Sequence, residues 1–139
     1  MTAPGEDILA WLDRAIRERE EAAHAAVGFG DAFAAGAEAP DCVYGTGPGG
    51  PYMRVAVPGF EGQTEAAVAH FALHGPESVL RRCTADRKLI SQHGPCSDTD
   101  RGCKGCGFDN QEESMVDDYN SCPVLIAIAE GYGWTEGER

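Results

Sequence analysis

A chain of 139 residues with 23 acidic and 11 basic side chains carries a net charge of -12 and is long enough to bury one modest core. That balance disfavours unaided binding to nucleic acid or to an anionic membrane, and no run of about 18 apolar residues offers a membrane span. The opening Met1-Thr2-Ala3-Pro4-Gly5-Glu6-Asp7 lacks the basic and apolar regions of a signal peptide, so a cytoplasmic location is expected. In a reducing compartment the six cysteines read as metal ligands or core residues rather than disulfides.

In chain order, Ile8, Leu9, Leu12, Ala15, Ile16 and Ala23 recur at helical spacing and predict an amphipathic helix over about 6–26. Glu6 and Asp7 stand at its positive end and Gly28 is a stop, so 1–28 forms the first segment. Residues 29–62 are rich in Gly and Pro. Within them Cys42-Val43-Tyr44 and Tyr52 to Val57 have strand character, and Gly45 to Pro51 is turn chemistry, which predicts a small hairpin. A two-stranded ribbon is marginal alone, so it must lean on helices.

A helical pair is expected over 63–92. Thr64 can cap the first member, Gly75-Pro76 breaks it, and Pro76 suits the first turn of the second. Val79, Leu80, Cys83, Leu89 and Ile90 mark that helix's buried face. A Cys-rich loop over 93–122 follows, and Pro123 opens a last helix within 123–134, which leaves Trp134 to fold back or to stay exposed. The expected fold is mainly α with a small β-hairpin (α+β). It is a single domain, 1–139, with three to four helices around one core and a zinc-knuckle-like loop before the last helix.

The chemistry is concentrated in His93-Gly-Pro-Cys96, Cys103-Lys-Gly-Cys106 and Ser121-Cys122-Pro123. A Cys-x-x-Cys turn aims two sulfurs at one point, and a four-coordinate ion then needs two more ligands. Cys122 supplies one: Pro123 fixes the first helical position, so Cys122 sits at the N-cap, where the helix dipole favours a thiolate. Either His93 or Cys96 supplies the other, with His93 preferred. Zn2+ is the expected occupant, and an iron–sulfur cluster on Cys96, Cys103, Cys106 and Cys122 is the alternative. The segment from Gly94 to Ser121 has few apolar residues, chiefly Phe108, Met115, Val116 and Tyr119. A metal cross-link is therefore expected to hold it, while the first helix packs independently of the site.

Other residues invite plainer readings. Cys42 and Cys83 are expected to be buried small hydrophobes, and His24 a surface residue. His70 and His74 have i, i+4 spacing but lack the glutamate of His-Glu-x-x-His, which leaves packing or capping roles. Arg81, Arg82, Arg87, Lys88, Arg101 and Lys104 face only three acids in their stretch, so residues 81–104 carry about +3 and the remainder about -15. That segment could grip phosphate, but pairing with the chain's own acids is the expectation.

Residues Ala69 to Arg81, reading Ala-His-Phe-Ala-Leu-His-Gly-Pro-Glu-Ser-Val-Leu-Arg, resemble a family of small uncharacterised proteins from actinobacteria and their phages. That family has a segment of the type His-Ile-Ala-x-His-Asp-Pro-x-x-Val-Leu and a Lys-Arg-x-Ile-like helix, matched here by Asp86-Arg87-Lys88-Leu89-Ile90. Many members also have a His and Cys-x-x-Cys before a Pro-Cys-x-Thr-Leu-like helix start, partly matched by Ser121-Cys122-Pro123-Val124-Leu125. This chain departs in having Gly75 for the usual Asp, proline after rather than before the last cysteine, and Gly131-Tyr132-Gly133-Trp134 near its end. The resemblance implies His93, Cys103, Cys106 and Cys122 as a zinc set and a host-cytoplasmic location if the gene is phage-borne; the family has no known function, so it supplies no activity to carry over.

No nucleophile–base pair, phosphate loop or catalytic carboxylate pair stands out. The functional expectation is a zinc-stabilised, non-enzymatic module, a phage or mobile-element accessory that binds a host macromolecule, with a protein favoured over nucleic acid as the partner. The alternatives are a nucleic-acid-binding module using residues 81–104, a metal-dependent enzyme, and an acidic mimic of nucleic acid. No membrane partner is expected.

Overall fold

The computed structural model describes residues 7–27, 32–35, 43–46, 54–56 and 64–135. Four helices dominate them: α1 (Ile8–Ala26), α2 (Thr64–Leu73), α3 (Pro76–Gln92) and α4 (Pro123–Gly131). The protein is mainly α, as its patterning predicts, with a Cys cluster ahead of the last helix.

The helix ends follow local chemistry. The Asp7 carboxylate accepts from the Leu9 and Ala10 N–H groups at 2.9 and 3.3 Å, and the Asn120 side-chain oxygen accepts from the Ile8 N–H at 2.9 Å. Three of the donors that a helix start leaves open are thus satisfied, one of them from a residue 112 positions away. α2 stops before Gly75, and α3 begins on Pro76, whose missing N–H costs nothing there. Pro123 does the same for α4.

Three short strands, β1 (Ala32–Ala35), β2 (Val43–Thr46) and β3 (Arg54–Ala56), form an antiparallel sheet in the order β1-β2-β3. Phe33 lies opposite Gly45, and Val43 opposite Ala56, with an irregularity between Val43 and Tyr44. The expected hairpin corresponds to β2 and β3. Two corrections apply to it: β1 joins as a third strand, and Gly45 and Thr46, expected in a turn, continue β2. Cys42, the remaining turn residues 47–51 and the outer residues of the second strand lie outside the described residues. α2 packs on β1 and β2, which supplies the support that so small a sheet needs.

The chain divides into two compact units, Met1–Arg17 with Thr84–Arg139, and Glu18–Cys83. The divisions fall inside α1 and α3 rather than in linkers. Among the described residues of the Glu18–Cys83 unit, Ala23, Val43, Val68 and Cys83 are buried apolar residues, the last in the role expected of it.

The other unit has a continuous core. Ile8, Trp11 and Leu12 of α1 pack with Cys103, Tyr119 and Cys122 of the loop, Leu125 and Ala129 of α4, and Trp134. Trp134 folds back: its N–H donates to the Ala129 carbonyl at 3.0 Å, and its ring lies 6.5 Å from that of Trp11. This core overturns the expectation that the first helix packs independently of the cysteine loop, because Cys103 and Cys122 belong to the surface that Ile8, Trp11 and Leu12 cover. On α3, Leu89 is exposed rather than buried, since the inward stripe runs Cys83, Asp86, Ile90. Buried Asp86 accepts from the Tyr132 hydroxyl at 2.8 Å, which offsets the cost of enclosing a carboxylate.

Candidate metal centre

Four side chains converge where α3 ends, the loop turns and α4 begins. His93 directly follows α3, and its N–H donates to the Leu89 and Ile90 carbonyls at 3.1 Å each, which continues the helical turn far enough to fix the ring. Cys103 pairs with Pro95 in a β-bridge, its N–H donating to the Val116 carbonyl at 2.8 Å. A 3-10 turn, Lys104–Cys106, then brings Cys106 round to the same point, closed by the Cys106 N–H on the Cys103 carbonyl at 3.3 Å. A second 3-10 turn, Tyr119–Ser121, delivers Cys122, with Asp118 accepting from the Asn120 N–H at 2.9 Å. The knuckle requires glycine at 105: a Cβ there would meet the Gln92 carbonyl oxygen at 2.4 Å and His93 Nδ1 at 2.7 Å.

His93 Nδ1 lies 3.6, 3.8 and 3.5 Å from the sulfurs of Cys103, Cys106 and Cys122, and the Cys106 and Cys122 sulfurs are 3.5 Å apart. All four donor atoms fall within 4.8 Å of one another. With zinc bonds of about 2.3 Å to sulfur and about 2.0–2.1 Å to nitrogen, a tetrahedron has edges of about 3.6 Å between N and S and about 3.8 Å between sulfurs. The four separations above match such edges, and the group could hold one metal ion. Nδ1, rather than Nε2, faces the sulfurs. Cys103 and Cys122 are fully buried, whereas His93 and Cys106 are half-buried.

Without a cation the Cys106 and Cys122 thiols are driven in opposite directions. Burial drives the Cys106 thiol up to about 12, with its thiol neighbours Cys103 and Cys122 adding to the rise. Cys122 moves the other way. Burial opposes its ionisation, but the Leu125 and Val124 N–H groups at the start of α4 and the Cys103 and Cys106 thiols outweigh it. No formal capping hydrogen bond is made, so the pull is that of the helix start as a whole. One thiolate is therefore tolerated and a second resisted. A divalent cation removes that conflict, because bound thiols are deprotonated outright.

Of the remaining sequence candidates, Cys96 stands apart from this cluster. Its N–H donates to the Gly102 carbonyl at 2.9 Å, and its sulfur lies 3.2 Å from the Ser114 hydroxyl. His70 and His74 are exposed, with ring centroids 4.5 Å apart. His24 is exposed. The basic stretch is largely engaged at home: Arg81 pairs with Glu77, Arg87 with Asp13, and Arg101 with Asp118 while lying over the Tyr119 ring. Gly105 serves the tight Cys-x-x-Cys turn expected of it, whereas Tyr119 and Asn120, in the turn that delivers Cys122, were passed over by spacing arguments; their signal was their place within the three residues before Cys122.

The chain matches the family model of DUF6221, a family of unknown function, over residues 5–133, and it belongs to that family. No curated protein and no solved structure matches it. Among the described residues no helix is long and apolar enough to cross a membrane.

Proposed function

For a chain whose family carries no assigned activity, we propose a structural role for the four-donor centre: His93, Cys103, Cys106 and Cys122 hold one Zn2+ that organises a non-enzymatic binding module. The observation that carries this reading is the convergence of three sulfurs on Nδ1, each 3.5–3.8 Å from it, with all four donor atoms within 4.8 Å of one another. Four protein donors fill the coordination shell of zinc and leave no place for a reactive water, which is the habit of structural rather than catalytic sites. A single ion is favoured over an iron–sulfur cluster, because a cluster spreads its thiolates around several irons and takes Cys96 in place of His93. When bound, the ion would supply charge neutralisation and cross-linking to the chain's own thiolates.

The module would act by contact. We place it as an accessory of phage or mobile-element origin that binds a host protein in the cytoplasm. The support is the acidic balance of the chain and the lack of a catalytic constellation among the described residues. Metal analysis of protein purified without added metal tests the first part, with one zinc per chain expected; iron in its place, or no metal, would overturn it. Affinity capture from host lysate with metal-loaded protein tests the second, and a return of nucleic acid instead of protein would favour the module that uses residues 81–104.

A further inference from the structure

We infer that occupancy of the His93/Cys103/Cys106/Cys122 centre governs whether the N-terminal half of α1 is docked, so that the metal works as a latch on a helix some 80 to 110 positions away in sequence. This rests on the metal reading above and goes beyond it.

The coupling runs through one short turn. Tyr119–Ser121 is closed by the Ser121 N–H on the Asp118 carbonyl at 2.8 Å and the Cys122 N–H on the Tyr119 carbonyl at 3.0 Å. Cys122 is therefore rigidly tied to the two residues that hold α1: Asn120, which accepts from the Ile8 N–H at 2.9 Å, and Tyr119, whose hydroxyl donates to Asp7. On its other side the turn is bound to the strand carrying Cys103, by the Tyr119 N–H on the Arg101 carbonyl and the Cys103 N–H on the Val116 carbonyl, both at 2.8 Å. An ion that fixes Cys103, Cys106 and Cys122 thus fixes the acceptors and the apolar wall that receive α1.

Removal of the ion leaves a loop with little apolar surface of its own and no cross-link joining Cys103, Cys106 and Cys122. Asn120 and Tyr119 then lose their fixed places. α1 keeps its own cap, since Asp7 serves Leu9 and Ala10 from within the same segment. The helix persists but releases, and it uncovers Ile8, Trp11 and Leu12, which are buried when docked. Because linkage is reciprocal, docking of α1 strengthens metal binding by the same factor by which metal binding strengthens docking.

The experiment is hydrogen exchange on the full-length, reduced protein, metal-loaded and after a strong chelator, with bound metal counted in each sample. Loss of protection at Ile8, whose N–H bonds across to Asn120, together with the 94–121 loop, while α2 stays protected, is the expected result. An Asn120→Ala variant, which touches no metal ligand, should still bind one ion but about fivefold more weakly. Metal that binds and leaves without changing protection at Ile8 overturns the latch and spares the metal centre. A chain that takes up no zinc overturns both. Protection lost in α2 in step with α1 signals global unfolding and also overturns the latch. Undiminished metal affinity in Asn120→Ala removes the turn as the connecting element.

Discussion

α4 and the loop from Gly94 to Ser121 are neighbours in sequence and meet in the same buried cluster, yet they are ordered by different means. α4 brings Leu125 and Ala129 fully inside, with Val124, Ile126 and Ile128 packed beside them, and would be placed by apolar burial alone. Of the loop's four large apolar residues, Phe108 and Met115 are 53% and 65% exposed, Val116 is half-buried, and only Tyr119 is enclosed. Its order comes instead from carboxylates that close turns: Asp100 on the Gly102 N–H, Asp109 on those of Gln111 and Glu113, and Asp118 on that of Asn120. Each such bond contributes about 1 kcal/mol, against a backbone ordering cost of about 1–2 kcal/mol per residue. The difference teaches where a cross-link is needed. A region that cannot pack must be tied, and the donors sit where the untied loop would otherwise leave the core.

The largest expected effect separates the two regions outright. Cys103→Ser, Cys106→Ser or Cys122→Ser should abolish metal binding and release the loop, a loss of order 10 kcal/mol of metal-coupled folding free energy. Metal analysis and loop hydrogen exchange check this. Cys83→Ala, buried in the Glu18–Cys83 unit, should keep the metal and cost about 1–2 kcal/mol, read from a denaturant midpoint.

Next in size is an attack on the packed side. Trp11→Ala removes a ring that packs in the same cluster as Cys103 and Cys122, and it should cost about 3–5 kcal/mol. Chemical denaturation of the metal-loaded protein gives the value, and a loss under 1 kcal/mol would mean that α1 contributes little to this core.

Gly105→Ala sharpens the comparison from within the knuckle. The added methyl must displace His93 or the Gln92 carbonyl, at about 1–3 kcal/mol. Gly107→Ala meets open space, but φ 89° and ψ 179° are open essentially to glycine alone, so it strains the backbone by about 1–3 kcal/mol. Competition against a chromophoric chelator should show weaker zinc binding for the first, where the methyl strikes a ligand, than for the second, where only the backbone is strained.

The smallest effect lies at the surface of α1. The hydrogen bond from Arg87 holds the Asp13 carboxyl below its ordinary value; burial opposes it slightly and Arg17 assists. A lowered carboxylate contributes stability that is present above its unfolded pKa, about 3.9, and is lost as pH falls through the folded value. Wild type and Asp13→Asn should therefore differ near neutrality and converge in acid. With both partners 40–46% exposed, the gap should stay under about 1 kcal/mol. Thermal melts across that range read it.

Much of this was legible locally. The 3.6-residue stripes, Gly75-Pro76 and Pro123 marked the helices, and the turn-plus-cap spacing of Cys103, Cys106 and Cys122 marked the donors, because both are short-range signals. β1 was not legible: Ala32-Phe33-Ala34-Ala35 has no alternation, and only its pairing with β2 makes it a strand. The choice of His93 over Cys96 depended on which way the chain leaves α3. The joining of α1 to the loop depended on pairs more than 100 residues apart, such as Ile8 with Asn120, for which periodicity holds no information. Leu89 and Asp86 show the same limit in reverse, since hydrophobicity named the wrong one as buried.

The uneven enclosure of the four donors carries a kinetic consequence. Cys103 and Cys122 are fully covered, and only the His93–Cys106 edge is open to solvent. Ligand exchange at a bound zinc proceeds by an incoming donor entering as an old one departs, so the imidazole and the Cys106 sulfur are the first to be replaced. Small bidentate chelators should strip the ion faster than bulky ones of equal affinity. The rate should rise with their concentration, whereas a centre open only after unfolding would give a rate that levels off.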